Sequence, residues 1–277
     1  AGCQLFFAAD QVNQAWRELF VTQGTQATTQ LVKDIHVGQG SFPTDLVPIG
    51  GKVVFRARSV AGGYEPWVSD GTAAGTMALA DLHPGVGSSD PTGFAALPGV
   101  GVIFAAAMQA PDGQVQGDVE LYATDGTVAG TVLLRDLEPG QTTWHGSPSH
   151  MVATSGRELF LEVWDPLAGS EPHYRDATGG VTLLGDLNPG TDGSYLDEPT
   201  PVWVDDHLLT FFTAYEPVLG RELYATDGTP AGTQLVEDIW AGPGSSLTLP
   251  PARGGEPPFP ERPRRQPWCR AVGLGQD

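Results

Sequence analysis

The chain has 277 residues, 37 of them Gly and 24 Pro, and hydrophobic residues still make up 40%. That is enough apolar material for a core, but no apolar run approaches the roughly 20 residues of a membrane-spanning helix, so membrane insertion of that kind is not expected. With 14 Lys and Arg against 33 Asp and Glu the net charge is −19, which excludes nucleic acid as a partner, because neutralising phosphates takes clustered cations.

Along the chain one unit recurs five times. Aligned on a shared glutamate, the copies begin their core motif at Glu18, Glu65, Glu120, Glu171 and Glu222, at steps of 47, 55, 51 and 51 residues. Each unit opens on a short apolar run (Leu5–Phe7, Val53–Phe55, Val102–Phe104, Leu159–Leu161, Leu209–Phe211). The glutamate then starts a second run that carries an aromatic slot, filled by Phe20, Trp67, Tyr122, His173 and Tyr224. Asp-Gly-Thr follows in most copies, a hairpin signal in which Gly supplies positive φ and Asp bonds its own downstream backbone. A third run of the Thr-x-Leu-Val type leads to a second acidic landmark, at Asp34, Asp81, Asp136, Asp186 and Asp238. After a Pro/Gly/Ser loop comes a weak fourth run, such as Asp45–Val47 or Pro201–Trp203.

Short runs between turn residues, without useful helical periodicity, predict an all-β chain. Four strands in about 50 residues, five times over, is the arithmetic of a five-bladed β-propeller, with units near 2–49, 50–98, 99–154, 155–204 and 205–250. Residues 251–277 are a Pro/Arg-rich, irregular tail, in which Trp268–Gly273 reads as an imperfect closing strand. The only cysteines, Cys3 and Cys269, stand at opposite ends of the sequence and are expected to pair if that strand closes the ring.

The pattern Glu-Leu-aromatic-x-x-Asp-Gly-Thr-x-x-Gly-Thr-x-Leu-Val-x-Asp-Ile, best matched by residues 222–239, resembles the ELWxxDGT repeat of bacterial proteins. The resemblance covers about residues 2–248; Gln23 and the shortened Asp176-Ala177-Thr178 turn depart from it. It implies a secreted or cell-surface protein of propeller-like repeats and implies no established activity or ligand.

Because the repeated glutamates and aspartates recur in every unit, they read as structural: a catalytic pair needs unlike groups at one point, not like groups spread around a ring. Calcium is the cation weighed for the loose clusters Asp112/Asp118 and Asp192/Asp197/Glu198, which lack a liganding-loop order; no cofactor is expected. Ligand contacts are sought at Trp67, Tyr122 and Tyr224, as stacking platforms like those of five-bladed lectins, and at Trp144, His145 and Trp164, which break the repeat. The leading expectation is a non-enzymatic binding or scaffold module contacting a glycan or a cell-surface protein. The alternatives are an accessory subunit of an envelope assembly, or a propeller-type glycoside hydrolase working through Glu162, Asp165, Asp205 and Asp206.

Overall fold

In the computed structural model, which describes residues 4–11, 14–107, 119–137, 146–155 and 158–245, those residues form nineteen strands and one 3₁₀ turn, Gln26–Thr28. Cys3, Cys269, Trp144, His145, the Asp112/Asp118 cluster and the segment 251–277 lie outside the described residues. The strands make five antiparallel sheets. The first holds β1 (Leu5–Gln11), β2 (Gln14–Thr22) and β3 (Gln30–Lys33), and the second β4 (Thr44–Ile49), β5 (Lys52–Arg58), β6 (Tyr64–Ser69) and β7 (Met77–Ala78). The third holds β8 (Thr92–Leu97), β9 (Gly101–Ala107), β10 (Val119–Thr124) and β11 (Val132–Arg135). The fourth comprises β12 (Gly146–Ala153), β13 (Leu159–Asp165), β14 (Gly169–Arg175) and β15 (Val181–Leu183). β16 (Asp197–Val204), β17 (His207–Glu216), β18 (Gly220–Thr226) and β19 (Gln234–Glu237) make the fifth.

The sheets are offset from the sequence repeat by one strand. The weak fourth run of each unit pairs with the first run of the next, as Val47 with Val54 and Val202 with Leu209. The four strands that open sheets, β4, β8, β12 and β16, stand side by side along a common inner edge. Successive sheets then pack face to face, which buries both faces of the second strands and explains why these read as apolar runs rather than alternating ones.

Alternation along a strand sends neighbouring residues to opposite faces. One face of each sheet, the forward face, meets the next sheet; the rear face meets the one before. At the first junction Val21, Val32 and Ile35 of the first sheet close on Val53, Phe55 and Trp67 of the second. At the third, Ile103, Leu121 and Ala123 meet Leu159, Leu161 and Val163. At the fourth, Phe160 and Leu184 meet Phe212 and Tyr224. Phe104 stacks on Tyr122 at 5.6 Å, and Phe212 on Tyr224 at 5.9 Å. These buried rings supply large apolar area with offset geometry.

The repeated glutamate ties each third strand to the loop that leads into the next sheet. Glu65, buried on β6, accepts from the Leu82 and Ser89 N–H groups, each at 3.0 Å, and from the Ser89 hydroxyl at 2.6 Å. Glu120 accepts from Leu137 N–H at 2.7 Å, and Glu171 from the N–H groups of Leu187 and Asn188 at 3.1 and 3.3 Å. Burial dominates and pushes the Glu18 and Glu65 carboxyls up; that of Glu171 is pushed up to about 7. Asp34, Asp81 and Asp186 lie close enough to add their charge in the same direction. At the opposite end of the sheets the Asp-Gly-Thr turns close on themselves. Asp125 Oδ1 accepts the Thr127 N–H at 2.9 Å and its hydroxyl at 2.6 Å, while Gly126 takes a φ of 82°.

Candidate functional site

Four inner-edge strands begin alike. Thr44 pairs with Arg56, Thr92 with Ala105, Ser149 with Glu162 and Asp197 with Thr213, and in each strand the register then slips by one residue. The residue that opens this bulge is left-handed: Asp45 (φ 55°), Gly93 (65°), His150 (47°) and Glu198 (32°). A side chain is strained in that conformation, and only the third sheet uses glycine there. A left-handed residue thus recurs at the bulge of all four inner-edge strands.

Two substitutions make the fourth sheet different. On β13 the residue opposite the bulge is Glu162, where the other sheets carry Ala8, Arg56, Ala105 and Thr213. In the loop entering the fifth sheet the residue before Asp197 is Leu196, where Pro43, Pro91 and Pro148 stand in the other copies. Leucine keeps an N–H that proline lacks, and Glu162 accepts it. Glu162 Oε2 further accepts the Ser149 hydroxyl at 2.5 Å and lies 2.8 Å from His150 Nδ1.

Burial alone would raise the Glu162 pKa, but the bonds from His150, Ser149 and Leu196 outweigh it and hold the carboxyl below its ordinary 4.5. Its partner moves the other way: the Glu162 hydrogen bond raises His150 above its ordinary 6.5, with the charge of Asp197 adding to it and Arg221 opposing. Each partner thus favours the charged form of the other. Glu162 is buried and saturated with donors, so it orients the ring rather than reacting. With Nδ1 engaged and the side chain 38% exposed, His150 has Nε2 left for a proton transfer. Ser149 donates to Glu162, and its hydroxyl lies 3.3 Å from the same Nδ1, which is not the arrangement of a serine nucleophile.

Arg221 of β18 donates to the Tyr195 carbonyl at 2.6 Å and the Thr213 hydroxyl at 3.2 Å, tying the loop before β16 to the fifth sheet. Tyr195 is exposed and meets Tyr215 edge-on at 6.5 Å. Trp164, two residues beyond Glu162, is half-buried on the same face of β13.

The residues singled out from sequence divide accordingly. Trp67, Tyr122 and Tyr224 are buried between sheets, their rings taken up by packing. Trp164 lies two residues beyond Glu162 on the same face of β13. Of the four carboxylates named for catalysis, only Glu162 contacts His150. Asp165 accepts the N–H groups of Leu167 and Ala168 at 2.7 and 3.0 Å and so shapes the turn after β13. Asp205 and Asp206, both at positive φ, are the two-residue turn joining β16 to β17 at the other end of the sheet. His150 was missed, and Asp197 was weighed only as part of a calcium cluster; what could have pointed to His150 is a histidine at the weak strand's bulge, beside a glutamate that breaks the repeat. Among the described residues no three His, Cys, Asp or Glu side chains come together as metal ligands, and none of their helices is long and apolar enough to cross a membrane.

No family model and no curated protein sequence matches the chain. Among solved structures it resembles prolyl endopeptidases, at 13% identity and a TM-score of 0.52, over 86% of this chain and 34% of theirs. It also resembles TolB from Acinetobacter baumannii, at 16% identity and a TM-score of 0.44, over 84% of this chain and 53% of that one. A thermostable family-43 glycoside hydrolase matches at 10% identity and a TM-score of 0.36, over 71% of this chain and 72% of its own. The chain thus spans about a third to a half of the first two. At such identities the likeness is one of fold: an all-β chain of antiparallel sheets resembling propeller-type architectures. The expectation of a non-enzymatic binding or scaffold module is corrected here. Most of the similar structures carry the names of hydrolases, peptidases and glycosidases. The reasoning from repetition weighed the residues that recur and left aside those, such as Glu162 and His150, that break the repeat.

Proposed function

We propose that this chain is a propeller-type hydrolase of glycosidic bonds, built from repeats of the ELWxxDGT kind, acting outside the cytoplasm through the Glu162–His150 pair of its fourth sheet and the neighbouring Asp197. The observation that carries the reading is the Glu162–His150 ion pair, which occupies a position filled by Ala, Arg or Thr in the other sheets. His150 serves as the general acid, passing its Nε2 proton to the departing sugar oxygen. Asp197 takes a proton from the attacking water, and Glu162 holds the imidazole in place. The rings of Trp164 and Tyr195 supply apolar faces on which a sugar can stack. A net charge of −19 disfavours anionic polymers and favours neutral or cationic glycans.

The test is a hydrolysis screen over aryl glycosides and neutral and amino-sugar polysaccharides, run beside a panel of peptidyl arylamides. Turnover of a glycan that falls at least a hundredfold in His150→Asn, with unchanged folding, supports the assignment. Turnover confined to the arylamides, or a rate indifferent to His150, overturns it.

A further inference from the structure

At the first junction the chain seats an ammonium group of its own. Lys33, the last residue of β3, reaches the second sheet, where its Nζ donates to the Thr76 carbonyl at 2.7 Å. The same Nζ lies 6.0 Å from the centre of the Trp67 ring. Lys33 is the residue before the repeated Asp34; in the fourth unit the residue before Asp186 is Gly185. The fourth junction therefore keeps the receiving side of this contact without the lysine. Tyr224 stands there in the place of Trp67, and Thr233 in the place of Thr76. Both border a cavity of about 550 Å³ between the loop after β15 and the fifth sheet.

Leu187, Pro189, Pro217 and Val218 give this cavity apolar walls, and Asp186 and Glu216 bring carboxylates to it. Glu216 holds the place of Ser59 in the second sheet, so the fourth junction loses a cation and gains an anion. Glu216 accepts the Tyr224 hydroxyl at 3.1 Å. Neither carboxylate pairs with a Lys, Arg or His among the described residues. The lining includes neither Glu162 nor His150, so this is a separate place from the pair described above.

We propose that the cavity binds an alkylammonium group, an unbranched apolar stem ending in a primary amine, which takes the seat that Lys33 fills at the first junction. An ammonium has three N–H donors and no acceptor; the two carboxylates and the Thr233 carbonyl offer it acceptors. The neighbouring aromatic ring adds attraction, and the apolar walls cover the stem. The acidic body draws any cation to its surface, but only a cation with a stem gains from those walls. The absent lysine can also be put back. An added Cβ at Gly185 meets only Leu187 Cδ2, at 3.4 Å, which is ordinary contact.

Isothermal titration of the full 277-residue chain with n-pentylamine tests this, at physiological salt to screen diffuse attraction. One saturable site per chain is expected, with no saturable binding of 1-pentanol, which keeps the stem and lacks the charge. Glu216→Gln, which keeps an acceptor for Tyr224, should weaken binding about tenfold or more. Gly185→Lys, which restores a tethered ammonium, should abolish it. Circular dichroism verifies that both variants fold. Nα-acetyl-lysine methylamide, titrated alongside, separates a lysine side chain of another protein from a free amine as the source, and tighter binding of either supports the site. A wild type that takes up neither amine, equal uptake of 1-pentanol, or binding indifferent to either substitution overturns the proposal.

Discussion

Ser41 is joined twice to Glu18: its N–H donates to Oε1 at 2.9 Å and its hydroxyl to Oε2 at 2.5 Å. Glu65 and Ser89 repeat the contact one sheet later. Each such pair fastens the glutamate's strand, β2 or β6, to the loop from which the next inner-edge strand departs. Removing the carboxylate strands several buried donors, each costing about 1–3 kcal/mol. Glu65→Ala is expected to destabilise the chain by about 3–5 kcal/mol in urea unfolding. Glu65→Gln, which keeps an acceptor and adds no charge to a site where burial already disfavours one, should cost about 1 kcal/mol. Equal losses in the two variants would refute this role.

Stability should peak in mildly acidic solution. Glu18, Glu65 and Glu171 have folded pKa values above the ordinary 4.5, so the folded state holds their protons more tightly. Stability therefore falls as pH rises from 4.5 through those values, to about 7 for Glu171. His150 acts in the same direction: its contribution is complete below 6.5 and lost as pH climbs through its raised pKa. Glu162 has the opposite sign, since its contribution is complete above 4.5 and lost as pH falls through its depressed pKa. Melting temperature against pH should show a maximum near about pH 5, and Glu171→Gln should flatten the limb between 4.5 and 7. A flat profile from pH 5 to 8 would show that these burial effects are absent.

Leu196→Pro isolates one bond to Glu162. Proline occupies this place in three other copies, so the backbone accepts it; what disappears is the N–H that Glu162 accepts. The expected outcome is a folded protein less stable by about 1–2 kcal/mol. With one donor fewer Glu162 becomes more basic, which tightens its share of the proton it exchanges with His150. A nitrogen-15 titration should show a His150 pKa displaced from wild type, whereas Leu196→Ala leaves it in place.

Gly63 sits where two chain segments nearly touch. Its N–H donates to the Gly87 carbonyl at 2.7 Å, and an added Cβ would lie 2.2 Å from that same oxygen. Gly63→Ala must force the turn after β5 away from the loop entering β8. A loss of about 1–3 kcal/mol in chemical denaturation is expected; a neutral result would mean that the loop yields freely.

What the sequence discloses follows the range of the interactions involved. The apolar runs, the Asp-Gly-Thr turns and the repeat of Glu18 through Glu222 are local patterns, and each is found where the residues indicate. The one-strand offset is not local. Val47 sits in the same repeat as Phe7 yet bonds to Val54, and a periodic sequence looks the same wherever its period is cut. The candidate site is partly legible. Glu162 stands out as an acidic residue in an apolar run, but His150 gains its meaning from a left-handed bulge and Leu196 from a proline that is absent. Asp205 and Asp206 misled because an acidic pair in a tight turn resembles an acidic pair in a site until the φ angles are known.

The offset between repeat and sheet bears on how the chain grows during synthesis. Every completed sequence unit delivers, as its last act, the opening strand of a sheet whose other strands have not yet been made. A nascent chain halted between units therefore always trails one strand with nothing to bond to, and adding the next unit both consumes that strand and leaves another. Loss or gain of a whole unit keeps this relay intact, wherever in the period the cut falls. A cut that removes half a unit breaks it, leaving one sheet short of a strand in mid-row. Length variation in such a protein should thus come in steps of about 50 residues, the spacing between successive repeat glutamates.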